Sequence, residues 1–129
     1  MNDETSSAAR LLSLSVVVPV FNEQESLVQL IEELNGGIGQ SVSQFEIILV
    51  DDGSTDGSWS VIRELSQPAN ISGIRLRRNF GKAAALTAGM KVASGDLILM
   101  LDADLQDDPA EFPALLKQIN AGFDVVNGW

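Results

Sequence analysis

The feature that most constrains the fold is an alternation of short apolar runs, each of strand length, with stretches of helical periodicity. LSVVV (14–18), FEIILV (45–50), DLILML (96–101) and FDVV (123–126) are rich in β-branched residues or leucine and mostly apolar on both faces. Strands covered on both sides of a parallel sheet have this character. ISGIRLRR (71–78) alternates more and predicts a sheet edge. Between these runs, Leu27, Leu30, Ile31 and Leu34 in EQESLVQLIEEL fall at i, i+3, i+4 and i+7, with Asn22 and Glu25 spaced as a capping box. Trp59, Ile62 and Leu65 mark a second helix opening near Ser54 to Asp56. A third, alanine-rich helix is predicted over 82–93, where Gly89 would allow close packing on the sheet. The fourth has Asp108 as N-cap, Pro109 at the first helical position, Glu111 three residues after the cap, Phe112, Leu115, Leu116 and Ile119 on one face, and Gly122 as terminator. The order β-α-β-α-β-α-β-α-β predicts an α/β fold, an open and mostly parallel Rossmann-like sheet with helices on both faces.

Ligands of such sheets bind beyond the carboxyl ends of the strands. The polar clusters of this chain fall there: Pro19 to Glu23, Asp51 to Asp56, Arg78 to Lys82, and Asp102 to Gln106. Four loops are therefore expected to converge on one site. Composition narrows its chemistry. The 129 residues, 45% of them hydrophobic, suffice for one domain, expected at 13–129 behind a loose polar tail at 1–12. A net charge of −10 disfavours nucleic acid and adhesion to an anionic membrane surface. The absence of cysteine excludes disulfides and thiolate chemistry and fits a cytoplasmic setting. The absence of histidine removes zinc-hydrolase and Ser-His-Asp mechanisms. MNDETSSAAR does not resemble a signal peptide, and no apolar run approaches the roughly 18 to 20 residues that span a bilayer.

No G-x-G-x-x-G follows the first strand and no P-loop pattern is present, so phosphate would have to be held otherwise. Asp102 and Asp104, one residue apart at a strand end, can grip a divalent cation, with Gln106 adding a neutral oxygen ligand. The cation would leave positions for diphosphate oxygens that bare aspartates would repel. Taken alone, Asp-x-Asp is equally a solvated turn. Asp107 and Asp108 read as helix-start residues, Asp108 as the cap and Asp107 as a charge favoured by the helix dipole. Asp51 and Asp52 in DDGSTDG read either as turn residues or as carboxylates for a base or ribose, and Asp56 as a cap for the second helix. Pro19, Phe21, Asn22 and Glu23 have a structural account as strand stop, packing residue, cap and first-turn acid. Lys82 is either a solvated lysine or a phosphate contact beside an acidic cleft.

In order and spacing, SVVVPVFNEQESL, EIILVDDGSTDGS, RNFGKAAALTAGMKVASGDLILMLDADLQDDP and FDVVNGW resemble the nucleotide-binding half of family 2 glycosyltransferases of the GT-A fold. Within that family they resemble the polyprenyl-phosphate branch, which includes dolichol-phosphate mannosyltransferases and bactoprenol glucosyltransferases. The resemblance implies that Pro19, Phe21 and Glu23 line a base and ribose pocket and that Asp52 hydrogen-bonds the base while Asp51 supports the loop. It implies that Lys82 approaches the nucleotide, that Asp102 lies near ribose and metal, that Asp104 is the principal metal ligand and that Gln106 assists. The implied cation is Mg2+ or Mn2+, the donor a UDP- or GDP-linked sugar, and the acceptor a polyprenyl phosphate whose ionised oxygen attacks with inversion and without a general base.

Members of that branch continue past FDVVNGW into basic and then membrane-associated segments. The chain is therefore expected to be a fragment that binds nucleotide and metal, with activity in a longer protein at the cytoplasmic face of a membrane. Association into a homo-oligomer is left open. Three alternatives stand beside this reading: a family 2 transferase acting on a saccharide hydroxyl, a receiver-like phosphoacceptor domain, and a structural fragment without useful ligand affinity.

Overall fold

The computed structural model describes residues 13–37, 42 and 44–103. The polar tail, the fourth helix and the final strand expected from the sequence lie outside the described residues, as does Trp129. Within them the order is β1 (Ser13–Val20), α1 (Leu27–Gly37), β2 (Gln44–Asp51), α2 (Ser58–Leu65), β3 (Ile71–Arg75), α3 (Lys82–Val92) and β4 (Leu97–Met100). The strands form one sheet in the order β3-β2-β1-β4, and every pair is parallel. The alternating ISGIRLRR run supplies β3, at one edge of this sheet as expected, although the strand itself ends at Arg75.

Side chains of successive strand residues point to opposite faces, and both faces are covered. On one face Val16, Val18, Ile47, Leu49 and Leu99 pack with Leu27, Leu30, Ile31 and Leu34 of α1 and Ile62 of α2. The four α1 residues singled out by periodicity are the buried positions of that helix. On the other face Val17, Ile48 and Val50 pack against Ala85 of α3, with Leu86 and Ala88 beside it. The alanines and Gly89 let α3 sit low on the sheet: a Cβ at Gly89 would run into the Val17 side chain and lie 3.2 Å from Val50 Cγ2. Truncating a fully buried leucine such as Leu30 would cost about 2–5 kcal/mol.

One local expectation is corrected. Asn22 and Glu25 do not form a capping box, because α1 begins only at Leu27 and Asn22 lies in the left-handed region with φ 53°. Its side chain serves the neighbouring loop instead: Asn22 Oδ1 accepts the N–H groups of Thr55 (2.8 Å) and Asp56 (3.2 Å). The turn into α1 is closed by Glu23, whose carbonyl accepts Ser26 N–H and whose carboxylate accepts Ser26 Oγ–H.

At the N-terminal end of the sheet the turn before β4 is pinned to the strands. Glu46 accepts hydrogen bonds from Ser15 Oγ (2.5 Å), Ser94 N (2.7 Å) and Ser94 Oγ (2.8 Å), while Ser15 Oγ accepts Gly95 N–H. Burial alone would raise the Glu46 carboxyl, but these donors outweigh it and hold the group below the ordinary glutamate range.

Candidate functional site

β1 pairs with β2 on one side and β4 on the other, so the chain direction around the sheet reverses between β1 and β4. Diverging connections leave a crevice at such a switch point, beyond the carboxyl ends of the strands. Strand pairing continues to its lip: Asp52 N–H donates to Val20 O (2.8 Å) and Leu101 N–H to Val17 O (3.1 Å). The cleft there is lined by Pro19, Val20, Phe21, Glu23, Asp52, Lys82, Asp102 and Ala103. Its volume, about 160 Å³, is below the roughly 300 Å³ at which pockets for drug-sized ligands begin, so the described residues form only part of a site for a larger molecule.

Pro19 and Val20 end β1 and Phe21 follows, 45% exposed, giving the cleft an aromatic wall. The loops after β1 and β2 are sewn together. Asn22 N–H donates to Ser54 Oγ (2.9 Å), Glu23 N–H to Ser58 Oγ (3.0 Å) and Gly57 N–H to Gln24 Oε1. Asp56 accepts Ser58 N–H (2.8 Å), the first amide of α2, but it is not the cap expected from the sequence: the N-cap is Gly57, and Asp56 stands one residue before it. Burial would raise the Asp56 carboxyl; the hydrogen bonds from Ser58 and the Gln24 amide outweigh that and hold it below the ordinary aspartate range. The contacts between the two loops span more than thirty residues of sequence, and they fix where Phe21 and Glu23 stand. Asn22, Gln24, Ser54 and Ser58 are thus site-supporting residues that a loop-by-loop reading missed. The available signal was that parallel neighbours place their carboxyl-end loops side by side.

Asp51 and Asp52 part company. Asp52 faces the cleft, buried, and its two oxygens accept the N–H groups of Phe80 (2.8 Å) and Gly81 (3.1 Å). It therefore clamps the β3–α3 loop just ahead of Lys82. Asp51 does not line the cleft: its Oδ1 accepts Ser54 N–H (3.0 Å) and its Oδ2 faces Arg75 Nε at 3.9 Å. Gly53, with φ 74°, leaves no room for a Cβ against the backbone of Arg78 and Asn79, so the loops after β2 and β3 also meet in close contact.

Across the cleft, Lys82 Nζ lies 2.5 Å from Asp102 Oδ1, with the two side chains 46% and 25% exposed. Of the expected metal ligands only Asp102 lies among the described residues, and there its carboxylate pairs with Lys82. Asp104 and Gln106, the other expected ligands, lie outside the described residues. Among the described residues no group of three or more acidic side chains meets that could hold a metal ion. Also among them, no helix is long and apolar enough to cross a membrane.

Comparison with known proteins agrees with this fold. The model of glycosyl transferase family 2 matches residues 15–129. The undecaprenyl-phosphate 4-deoxy-4-formamido-L-arabinose transferase of Salmonella paratyphi A is 47% identical over 121 residues, covering 92% of this chain and 37% of that protein. The transferase of the same name from Aeromonas hydrophila subsp. hydrophila is 44% identical over 115 residues, covering 88% and 35%. The chain thus spans little more than a third of the length of these relatives. Among solved structures, S. aureus TarS residues 1–349 superimposes with a TM-score of 0.64 at 25% identity, over 85% of this chain and 32% of that one. A mannosyltransferase from Pyrobaculum calidifontis, in complex with GDP-Man and Mn2+, gives 0.64 at 24% identity over the same shares. The sheet and its helices are the Rossmann-like part of a GT-A fold, and the receiver-domain alternative falls. The chain belongs to glycosyl transferase family 2, where its similarity is to the polyprenyl-phosphate sugar transferases.

Proposed function

We propose that this chain, as a domain over 13–129, forms the donor site of an enzyme that transfers a sugar from a UDP- or GDP-linked donor to a polyprenyl phosphate. The observation that carries this reading is the meeting of Asp52, Lys82 and Asp102 with Pro19, Phe21 and Glu23 in one cleft at the switch point. The 47% identity to a protein named as an undecaprenyl-phosphate sugar transferase supports the choice of acceptor.

Each residue then has a task. Pro19 and Phe21 offer apolar surface to the flat faces of base and ribose, with Glu23 at the rim. Asp52 presents carboxylate oxygens to base N–H groups while keeping its grip on the loop behind. Asp51 acts at a distance by holding Ser54. Lys82 meets the diphosphate. Asp102, with Asp104 and Gln106, would hold Mg2+ or Mn2+, which when bound would offset the charge developing on the leaving nucleoside diphosphate. The acceptor phosphate oxygen is already ionised, so it forms its bond to the anomeric carbon, with inversion, as the bond to the diphosphate breaks. No general base is required, and a chain without histidine can serve. We assign the reaction to the cytoplasmic face of a membrane, where a soluble nucleotide sugar and a lipid phosphate meet.

Calorimetric titration of the chain with UDP and with GDP, each with and without Mn2+, tests this. Metal-dependent heat with at least one nucleotide is expected, together with thermal stabilisation of about 2.7 kcal/mol at a hundredfold excess over Kd. Asp104→Asn should remove the stabilisation and leave unfolding without ligand unchanged. No metal-dependent heat with either nucleotide would leave the structural-fragment alternative standing.

A further inference from the structure

We propose that the loop between β3 and α3, through Arg77, Arg78 and Phe80, is a docking surface for an anionic bilayer, and that it holds the cleft against the membrane from which a lipid phosphate would come. The choice of partner rests on the acceptor reading above; the surface itself rests on charge and exposure.

Three observations lead there. First, the basic residues are gathered. Five of the eight lysines and arginines stand between Leu65 and Gly95, a stretch without aspartate or glutamate. The carboxylates beside the loop, Asp51 and Asp52, are buried, whereas Arg77 and Arg78 are exposed. Docking senses charges within a Debye length of about 8 Å, so this local excess, and not the net charge of −10, sets the sign at the loop. Second, the loop presents an apolar body beside its charge. Phe80 is 48% exposed, and the Arg78 guanidinium lies over its ring, 4.7 Å from the centroid. An aromatic ring with arginines around it suits the boundary between headgroups and acyl chains, where one part is apolar and the other wet. Third, the loop is held rigidly beside the cleft. Asp52 holds the Phe80 and Gly81 amides from the cleft wall, and the backbone of Arg78 and Asn79 lies against Gly53. Docking therefore costs little ordering of the loop. A bilayer seated on it faces the carboxyl end of the sheet, where the cleft opens with Phe21 exposed in its wall.

Sedimentation of the chain with lipid vesicles tests this. In about 0.1 M salt the chain should bind vesicles of phosphatidylcholine containing about one-third phosphatidylglycerol, and leave them as the salt is raised. Vesicles of phosphatidylcholine alone should bind it about tenfold less. Arg77→Gln together with Arg78→Gln should lower partition onto the anionic vesicles about twentyfold, at about fivefold for each arginine. Phe80→Ser should lower it about threefold, by the apolar area withdrawn from the interface. Lys91→Gln also removes a charge, but in the last turn of α3 at the opposite end of the sheet, and should change partition by less than about twofold. All four residues are exposed, so thermal unfolding should stay as in the wild type and the losses report docking. Equal binding to both kinds of vesicle, no binding to either, or a loss in Lys91→Gln as large as in the double arginine variant overturns the proposal. So does a concentration-dependent dimer in sedimentation equilibrium that the arginine substitutions dissolve, which would give the surface to a second copy. The donor-site reading is judged apart, by nucleotide titration without vesicles, and survives each of these results. Absence of metal-dependent heat with either nucleotide, with vesicle binding intact, would sink that reading and leave the docking surface.

Discussion

At the N-terminal end of the sheet Glu46 is enclosed by fixed neutral donors, the hydroxyls of Ser15 and Ser94 and the Ser94 amide. At the other end Asp102 has a side-chain cation, Lys82, on its Oδ1. Both are carboxylates at strand ends in a chain of net charge −10, and neither is fully exposed. The difference lies in what satisfies them. Donors built into strands and turns cannot leave without breaking the fold, so Glu46 is part of the frame. The Lys82–Asp102 pair joins two partly exposed side chains, so it adds little to the fold.

The largest effect that would break this contrast lies at Glu46. Glu46→Ala leaves three donors without their acceptor and should cost about 2 kcal/mol in urea unfolding, with nucleotide and metal affinity unaltered. Asp102→Asn should do the reverse, leaving stability nearly unchanged and reducing metal affinity. Equal losses of stability in both would mean that the two ends are not different in kind.

Acid sharpens the same point. The Glu46 carboxyl is held below its ordinary value in the folded chain. Its contribution is therefore fully present above the unfolded-state value, about 4.3, and is lost as pH falls through the lower folded value. Glu46→Gln, which cannot ionise, should show a stability deficit at pH 7 that shrinks steadily below about pH 4. A deficit that stays constant with pH would remove the charge from the account and leave only shape.

How far the sequence shows this division depends on how local each feature is. The α1 face, the edge character of β3 and the low seat of α3 at Gly89 follow from periodicity and residue size, and the structure has them. So does the convergence of the strand-end loops, because it follows from a parallel sheet alone. The Glu46–Ser94 lock joins residues 48 apart and has no sequence spacing to betray it. Asn22 fooled a local rule for the same reason: the pattern of a capping box was present, but a loop after the adjacent strand offered Thr55 and Asp56 N–H groups to the same side chain. Which of Asp51 and Asp52 faces the cleft does not follow from the residues alone, and only the family resemblance separates them, with Asp51 as the loop support.

At Asp52 a smaller effect is expected. Asp52→Asn keeps one acceptor for the Phe80 and Gly81 amides but weakens both bonds, at a cost of about 1 kcal/mol. Amide exchange at Phe80 and Gly81 should quicken, and nucleotide affinity should fall, because Lys82 loses its fixed base. Unchanged exchange at these amides would mean that the clamp does not hold the loop in solution.

The smallest effect is expected next door, and it decides which side of the comparison Asp51 belongs to. Asp51 Oδ2 is buried and accepts no hydrogen bond; its partner, Arg75 Nε at 3.9 Å, is too far to donate one. Arg75 is 56% exposed and has a second anchor over the Trp59 ring, 5.6 Å from the centroid, so the ion pair contributes about 0–1 kcal/mol. The Asp51 function with defined geometry is the Oδ1 bond from Ser54 N–H, which an asparagine carbonyl can replace. Asp51→Asn should therefore shift unfolding by less than about 1 kcal/mol and nucleotide affinity by less than about twofold, against the clear loss expected for Asp52→Asn. A tenfold or greater loss of nucleotide affinity in Asp51→Asn would move this residue out of the frame and into the cleft.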